Sequence, residues 1–167
     1  MKQVTPREAF NKIKPESVAF VLSIDEADKP SGMIVAWQTK LSNDPPLFGV
    51  AISKKKYTHK LITSSKEFVV VLPGKDLEEE LKVFGSVSGR DVDKFEGTGI
   101  KTEPAKHIKT PLLADAVVNF ECRLHEIVET GDHDLFIGEI LTSYINKDKK
   151  ILFNIEKNGD NRTYGEF

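Results

Sequence analysis

Three short stretches and one tryptophan carry the side chains from which chemistry could be built. In TGDHDLFIGEIL, Thr130 to Leu141, His133 stands between Asp132 and Asp134 at the mouth of an alternating apolar segment. An imidazole that titrates near neutrality thus has carboxylates on both sides. In SKKKYTHKLI, Lys54 to Lys56 run into a segment of helical character that opens with Tyr57, Thr58 and His59. Free N–H groups at a helix start, a Thr hydroxyl and nearby ammonium groups together suit a phosphate. In SGRDVDKF, Gly89 permits close backbone approach while Arg90 and Lys94 bring positive charge, a second candidate anion grip. Trp37, the only Trp, offers a flat face to a flat ligand or simply packs as a buried structural side chain. Taken singly, the lysines also read as a solvated helix start and the Arg–Asp pairs as surface features.

Other chemistries lose support. Cys122, His125 and His133 show no close CxxC or HxxxH spacing of the kind metal sites use, so no metal is expected. Cys122 lies in VVNFECRL, where core packing is the common fate of a lone thiol. There is no GxSxG, no GxGxxG after a strand and no P-loop.

The elements that must position these groups follow from periodicity. TPREAFNKI carries a capping box, Thr5 with Glu8, and a Pro start, predicting a short N-terminal helix. Ser17 to Ile24 reads as a strand buried on both faces, and Pro30 to Leu41 as a second strand ended by NDPP. LFGVAIS is a third strand and EFVVVLP a fourth. DLEEELKVFG is an amphipathic helix with Leu77, Leu81 and Phe84 on one side, closed by Gly85. Ser86 to Lys109 reads as loops with one short helical turn, and long irregular loops in compact domains tend to be functional. Two long strands, Ala116 to Val128 and Asp134 to Ile145, precede a last short one near Ile151 to Ile155. About seven strands and three short helices, without strand–helix alternation, predict a mostly β (α+β) chain: a closed or partly closed barrel with short peripheral helices.

Length and composition bound the rest. At 167 residues the chain is expected to form a single domain, residues 1–167. A net charge of −2 supplies no general field for nucleic acid or anionic lipid. A small nucleic-acid-binding barrel, suggested only by the β pattern and Lys54 to Lys56, is disfavoured by that charge and by scarce aromatics. The longest apolar runs, VAFVL and FVVVL, are too short for a membrane helix. One cysteine and no basic–apolar leader lead us to expect a cytoplasmic protein.

The order of SGMIVAWQTKLSNDPPLFGVAIS, YTHKLI, EFVVVLP, FGSVSGRDVDKFEG and PLLADAVVNFECRLHEIVETGDHDLFIGEI resembles the flavin-reductase-like family, with the FMN-binding split-barrel fold, and within it the flavoredoxin group. The resemblance covers roughly residues 5 to 155 and implies the following. Thr58, flanked by Tyr57 and His59, matches the turn that holds the FMN phosphate. Trp37 and the backbone from Val35 through Ala36 to Thr39 match the strand along the isoalloxazine ring. Arg90 belongs to the SGRDVDKF grip, Lys94 matches the basic residue of DKF that reaches the flavin, and His133 matches the His of GDH. Ser31 and Ile34 stand where members commonly carry Asn and Thr, and Ser lacks the second donor–acceptor pair of an amide. The implied protein is a homodimeric oxidoreductase that passes electrons from NADH or NADPH through bound FMN to a small-molecule or protein acceptor. The alternative, motivated by Ser31 and Ile34, is a non-catalytic flavin-binding or electron-carrier protein.

Overall fold

The computed structural model describes residues 1–158 and 161–167. Helix α1 (Pro6–Phe10) is followed by strands β1 (Glu16–Ser17), β2 (Ala19–Ile24), β3 (Pro30–Val35), β4 (Gln38–Asn43) and β5 (Pro46–Ser53). Next come α2 (Tyr57–Ser65), β6 (Glu67–Leu72), a 3-10 turn at Lys75–Leu77, α3 (Glu78–Ser86) and α4 (Lys94–Thr98). The rest is strand: β7 (Thr102–Glu103), β8 (Leu112–Leu113), β9 (Val118–Glu129), β10 (His133–Ile145), β11 (Leu152–Asn158) and β12 (Asn161–Glu166). The mostly β expectation holds. The main sheet is antiparallel, ordered β3-β2-β6-β9-β10-β5-β4, with β1-β11-β12 and β7-β8 as smaller sheets.

Period-two alternation divides the apolar residues between two cores. Val18, Phe20 and Leu22 join Val69 and Val71 on one face of the sheet, packed with Leu81 and Phe84 of α3. Ala19 and Val21 join Phe68, Val70, Phe136 and Cys122 on the other. Every residue of β2 is buried, as expected of a strand covered on both sides. Each buried Phe contributes about 1.5–3 kcal/mol, and Phe20 meets Phe84 edge-on with ring centroids 5.1 Å apart.

The sequence predicts one strand over Pro30 to Leu41, but the chain bends at Ala36–Trp37. The reason lies in the partner: Val35 pairs with Ala19, the first residue of β2, so the ladder ends there. The chain then crosses to β5, where Gln38 pairs with Val50 and the Ala51 N–H donates to the Trp37 carbonyl at 2.9 Å. The two edge strands are thus joined through a bend and share no ladder, which leaves the barrel split. Asn43 pairs with Pro46, so NDPP is the hairpin turn between β4 and β5. Gly85 lies inside α3 instead of closing it, and Ile34 packs where its side chain would be: a Cβ there would sit 2.6 Å from Ile34 Cδ1. The C-terminal strand β12 has no counterpart in the sequence reading.

The long 86–109 segment is fastened at its far end by two carboxylates. Glu121, fully buried, accepts from the Lys106 N–H at 2.6 Å, the His107 N–H at 2.9 Å and the Tyr144 hydroxyl at 2.7 Å. Glu67 accepts from the N–H groups of Lys109 and Thr110 and from the Thr110 hydroxyl. Among the described residues, no helix is long and apolar enough to cross a membrane.

Candidate functional site: a two-chambered groove at the split

The split exposes β3 between the start of α2 and the end of α3. An inner chamber of about 740 Å³ is lined there by Gly32 to Ile34, the Ser53–Thr58 turn, the Phe84–Asp91 segment, Lys94 and Arg162. Among the described residues its cations are Lys55, Lys56, Arg90, Lys94 and Arg162, and Asp91 is its one carboxylate. Lys56 is the extended N-cap of α2 and offers no side-chain cap to the first-turn N–H groups, and Thr58 is buried against the same chamber. Orphan N–H groups, a hydroxyl and excess positive charge make a phosphate-binding donor set.

Asp93 and Lys94 of SGRDVDKF have different tasks. Asp93 caps α4, accepting from the Phe95 and Glu96 N–H groups, and pairs with Lys29 at 2.9 Å. Lys94 is 4% exposed and donates to the carbonyls of Gly32 at 2.8 Å and Phe84 at 2.9 Å, tying β3 to α3. Burial, with Lys56 nearby, pulls its ammonium down to about 8. Arg90 lies over the Tyr57 ring at 5.8 Å. Ser31 lines a smaller pocket of about 270 Å³ with Gly89, Arg90 and Lys94. The loop approaches so closely that a Cβ on Gly89 would lie 2.1 Å from Ser31 Oγ.

An outer chamber of about 540 Å³ shares Met33, Ile34, Ser53, Lys56 and Arg162 with the inner one, so the two form one groove. It holds Val35, Ala36, Trp37 and His133. Trp37 is 53% exposed, not a core Trp. His133 tilts against it, centroids 4.8 Å apart, and Phe10 meets it edge-on at 6.2 Å. The imidazole of His133 is oriented by Asp132 through a 2.7 Å contact at Nδ1.

Two residues expected at the site lie elsewhere. His59 faces away from the groove: its Nε2 meets Asp134 Oδ2 at 2.7 Å and its ring stands edge-on to Phe136. Asp134, 8% exposed, also has Lys54 Nζ 3.5 Å from its other oxygen, and the His59 hydrogen bond holds its carboxyl below the usual range. Thr39 is exposed on β4, its hydroxyl donating to the Lys40 carbonyl. Conversely, Arg162 and Arg7 line the groove and escaped the sequence reading. For Arg162 a signal existed, Asn158–Gly159 ahead of the β-prone Thr163–Tyr164. Cys122 is buried in the core, which pushes its thiol up. Among the described residues, no group of three or more His, Cys, Asp and Glu side chains is placed to hold a metal.

The structure is thus a split antiparallel barrel with a cationic, aromatic-edged groove. The flavin reductase like domain matches residues 13–159, and the chain belongs to that family. An NADH:FAD oxidoreductase of Streptomyces globisporus superposes with a TM-score of 0.86 at 25% identity, covering 100% of this chain and 98% of that one. The FMN-binding protein of Thermus thermophilus gives 0.85 at 29% identity, covering 99% and 94%. A flavoredoxin of Desulfovibrio vulgaris shares the fold, with a TM-score of 0.84 at 23% identity and coverage of 100% and 93%.

Proposed function

We propose that this protein binds FMN in the groove and passes electrons from NADH or NADPH to an acceptor. The observation that carries this reading is the clustering of five cations and an uncapped helix start in a chamber continuous with the exposed face of Trp37. FMN, when bound, supplies the hydride-accepting ring chemistry. In this reading Thr58, Lys56 and the first N–H groups of α2 hold the phosphate, each charged hydrogen bond contributing about 1.5–3 kcal/mol. Lys55 and Arg90 add charge, and Lys94 ties β3 to α3 while keeping an ammonium at the chamber. Met33 to Trp37 run along the ring, and His133, held by Asp132, backs Trp37 and excludes water from that edge. Neighbours of the fold named as an NADH:FAD oxidoreductase and an FMN-binding protein support flavin as the ligand. The reading includes a homodimer, consistent with exposed Phe10 and Trp37 at the outer chamber.

The test is a visible absorbance titration of the purified protein with FMN, followed by anaerobic addition of NADH and then NADPH. Stoichiometric flavin uptake and bleaching by either donor are expected. Uptake without bleaching would favour the carrier alternative, and no uptake at all would overturn flavin binding.

A further inference from the structure

The flavin reading uses the charge of Arg90 but leaves its position unexplained. Arg90 is exposed, lines both the inner chamber and the smaller pocket beside Ser31, and pairs with no carboxylate among the described residues. What it meets is the Tyr57 ring, 5.8 Å away. Tyr57 is the first residue of α2, so a guanidinium over its face stands beside the uncapped N–H groups of the phosphate seat.

The turn that carries Arg90 is closed on Ser88. The N–H groups of Asp91 and Val92 donate to the Ser88 carbonyl at 3.1 and 3.2 Å, and the Arg90 N–H donates to the Ser88 hydroxyl at 3.2 Å. Attachments then lay this stretch along the entry to β3. Asp93 pairs with Lys29 at 2.9 Å, Lys94 donates to the Gly32 carbonyl at 2.8 Å, and Gly89 packs on Ser31. The last contact has no slack. A Cβ on Gly89 would overlap Ser31 Oγ outright and stand 3.3 Å from Tyr57 Cδ1. The φ of Gly89 is not positive, so close approach and not backbone freedom asks for glycine here. A side chain at this point must push the turn off β3, and Arg90 moves with it.

Resting on the flavin reading, we infer that Ser31 and Gly89 are positioning residues: their packing sets the Ser88–Val92 turn so that Arg90 faces the phosphate seat. A guanidinium meets phosphate oxygens as a planar fork, so its gain depends on where it is held. Riboflavin, which ends in a neutral hydroxyl where FMN carries its phosphate, offers Arg90 no charge to meet.

The experiment is a fluorescence titration of FMN and of riboflavin, in parallel, with wild type, Arg90→Ala, Gly89→Ala and the two combined. FMN affinity should fall about 10-fold in each single variant and no further in the combination, with riboflavin affinity within about 2-fold of wild type throughout. Adding Ser31→Ala to Gly89→Ala removes the overlapping oxygen and leaves the Ser31 Cβ 3.4 Å away, an ordinary contact, so FMN affinity should recover. The inference is overturned by a Gly89→Ala variant as tight as wild type, by losses that add to those of Arg90→Ala, by an equal loss for riboflavin, or by no recovery when the Ser31 hydroxyl is removed. Wild type that takes up neither flavin overturns the flavin reading alone. Inorganic phosphate, followed through the amide shifts of Tyr57 and Thr58, is then the probe: weaker binding in Gly89→Ala sustains the inference and equal binding overturns it.

Discussion

Lys94 keeps an ammonium in a place with little water, held by two backbone carbonyls and facing a chamber already rich in cations. Burial and Lys56 lower its affinity for a proton to about 8, so the free protein is partly neutral there at mildly alkaline pH. A phosphate dianion entering the chamber favours the charged form. Binding should therefore take up protons from about pH 8 toward the ordinary lysine range, and affinity should fall as pH rises through that window. Calorimetry of FMN binding at pH 8 in buffers of different ionisation enthalpy should show uptake of up to about half a proton, abolished in Lys94→Met. Near neutral pH the free and bound states are both charged and this uptake vanishes.

At the scale of the element, the start of α2 is positioned from the side opposite the groove. Asp134, the second residue of β10, grips His59 of α2 and draws in Lys54, which Glu129 of β9 also holds. The turn carrying Lys55, Lys56 and Thr58 is thus fixed by a buried carboxylate that is not part of the lining of either chamber. Removing one partner of such a pair strands the other. Asp134→Asn should cost about 1–3 kcal/mol in thermal or denaturant unfolding. A double-mutant cycle with His59→Gln should return a coupling of about 0.5–3 kcal/mol. Independent, additive losses would show that the contact does not clamp the helix.

For the whole molecule, Glu121 and Glu67 decide how the long segment after α3 lies on the sheet. Burial alone would raise the Glu121 carboxyl, but the N–H of Lys106, the Tyr144 hydroxyl and the N–H of His107 outweigh it and bring the group below its ordinary value. Its contribution to stability is therefore complete above the ordinary carboxylate pKa and disappears as pH falls through the lowered one. Glu121→Gln should lose about 1–3 kcal/mol at neutral pH and flatten the acid limb of the stability curve, as chemical denaturation across pH would report. The strands were legible because β2 and β6 alternate faithfully between two cores, and α1 because Thr5 and Glu8 form its capping box. The bend at Ala36–Trp37 was not, since β2 ends opposite Val35 and that fact belongs to a distant stretch of chain. The cationic turn and Lys94 were readable as charges, but His59 faces a carboxylate of β10, 75 residues away in the chain, a choice that residue type cannot announce. Arg162 was hidden in a short polar tail whose pairing with β11 places it. Among the described residues the inner chamber gathers five cations around one carboxylate, in a chain whose net charge is −2, so the rest of the chain is net negative. A small dianion is therefore drawn toward that opening although the chain as a whole is an anion, and added salt slows that capture.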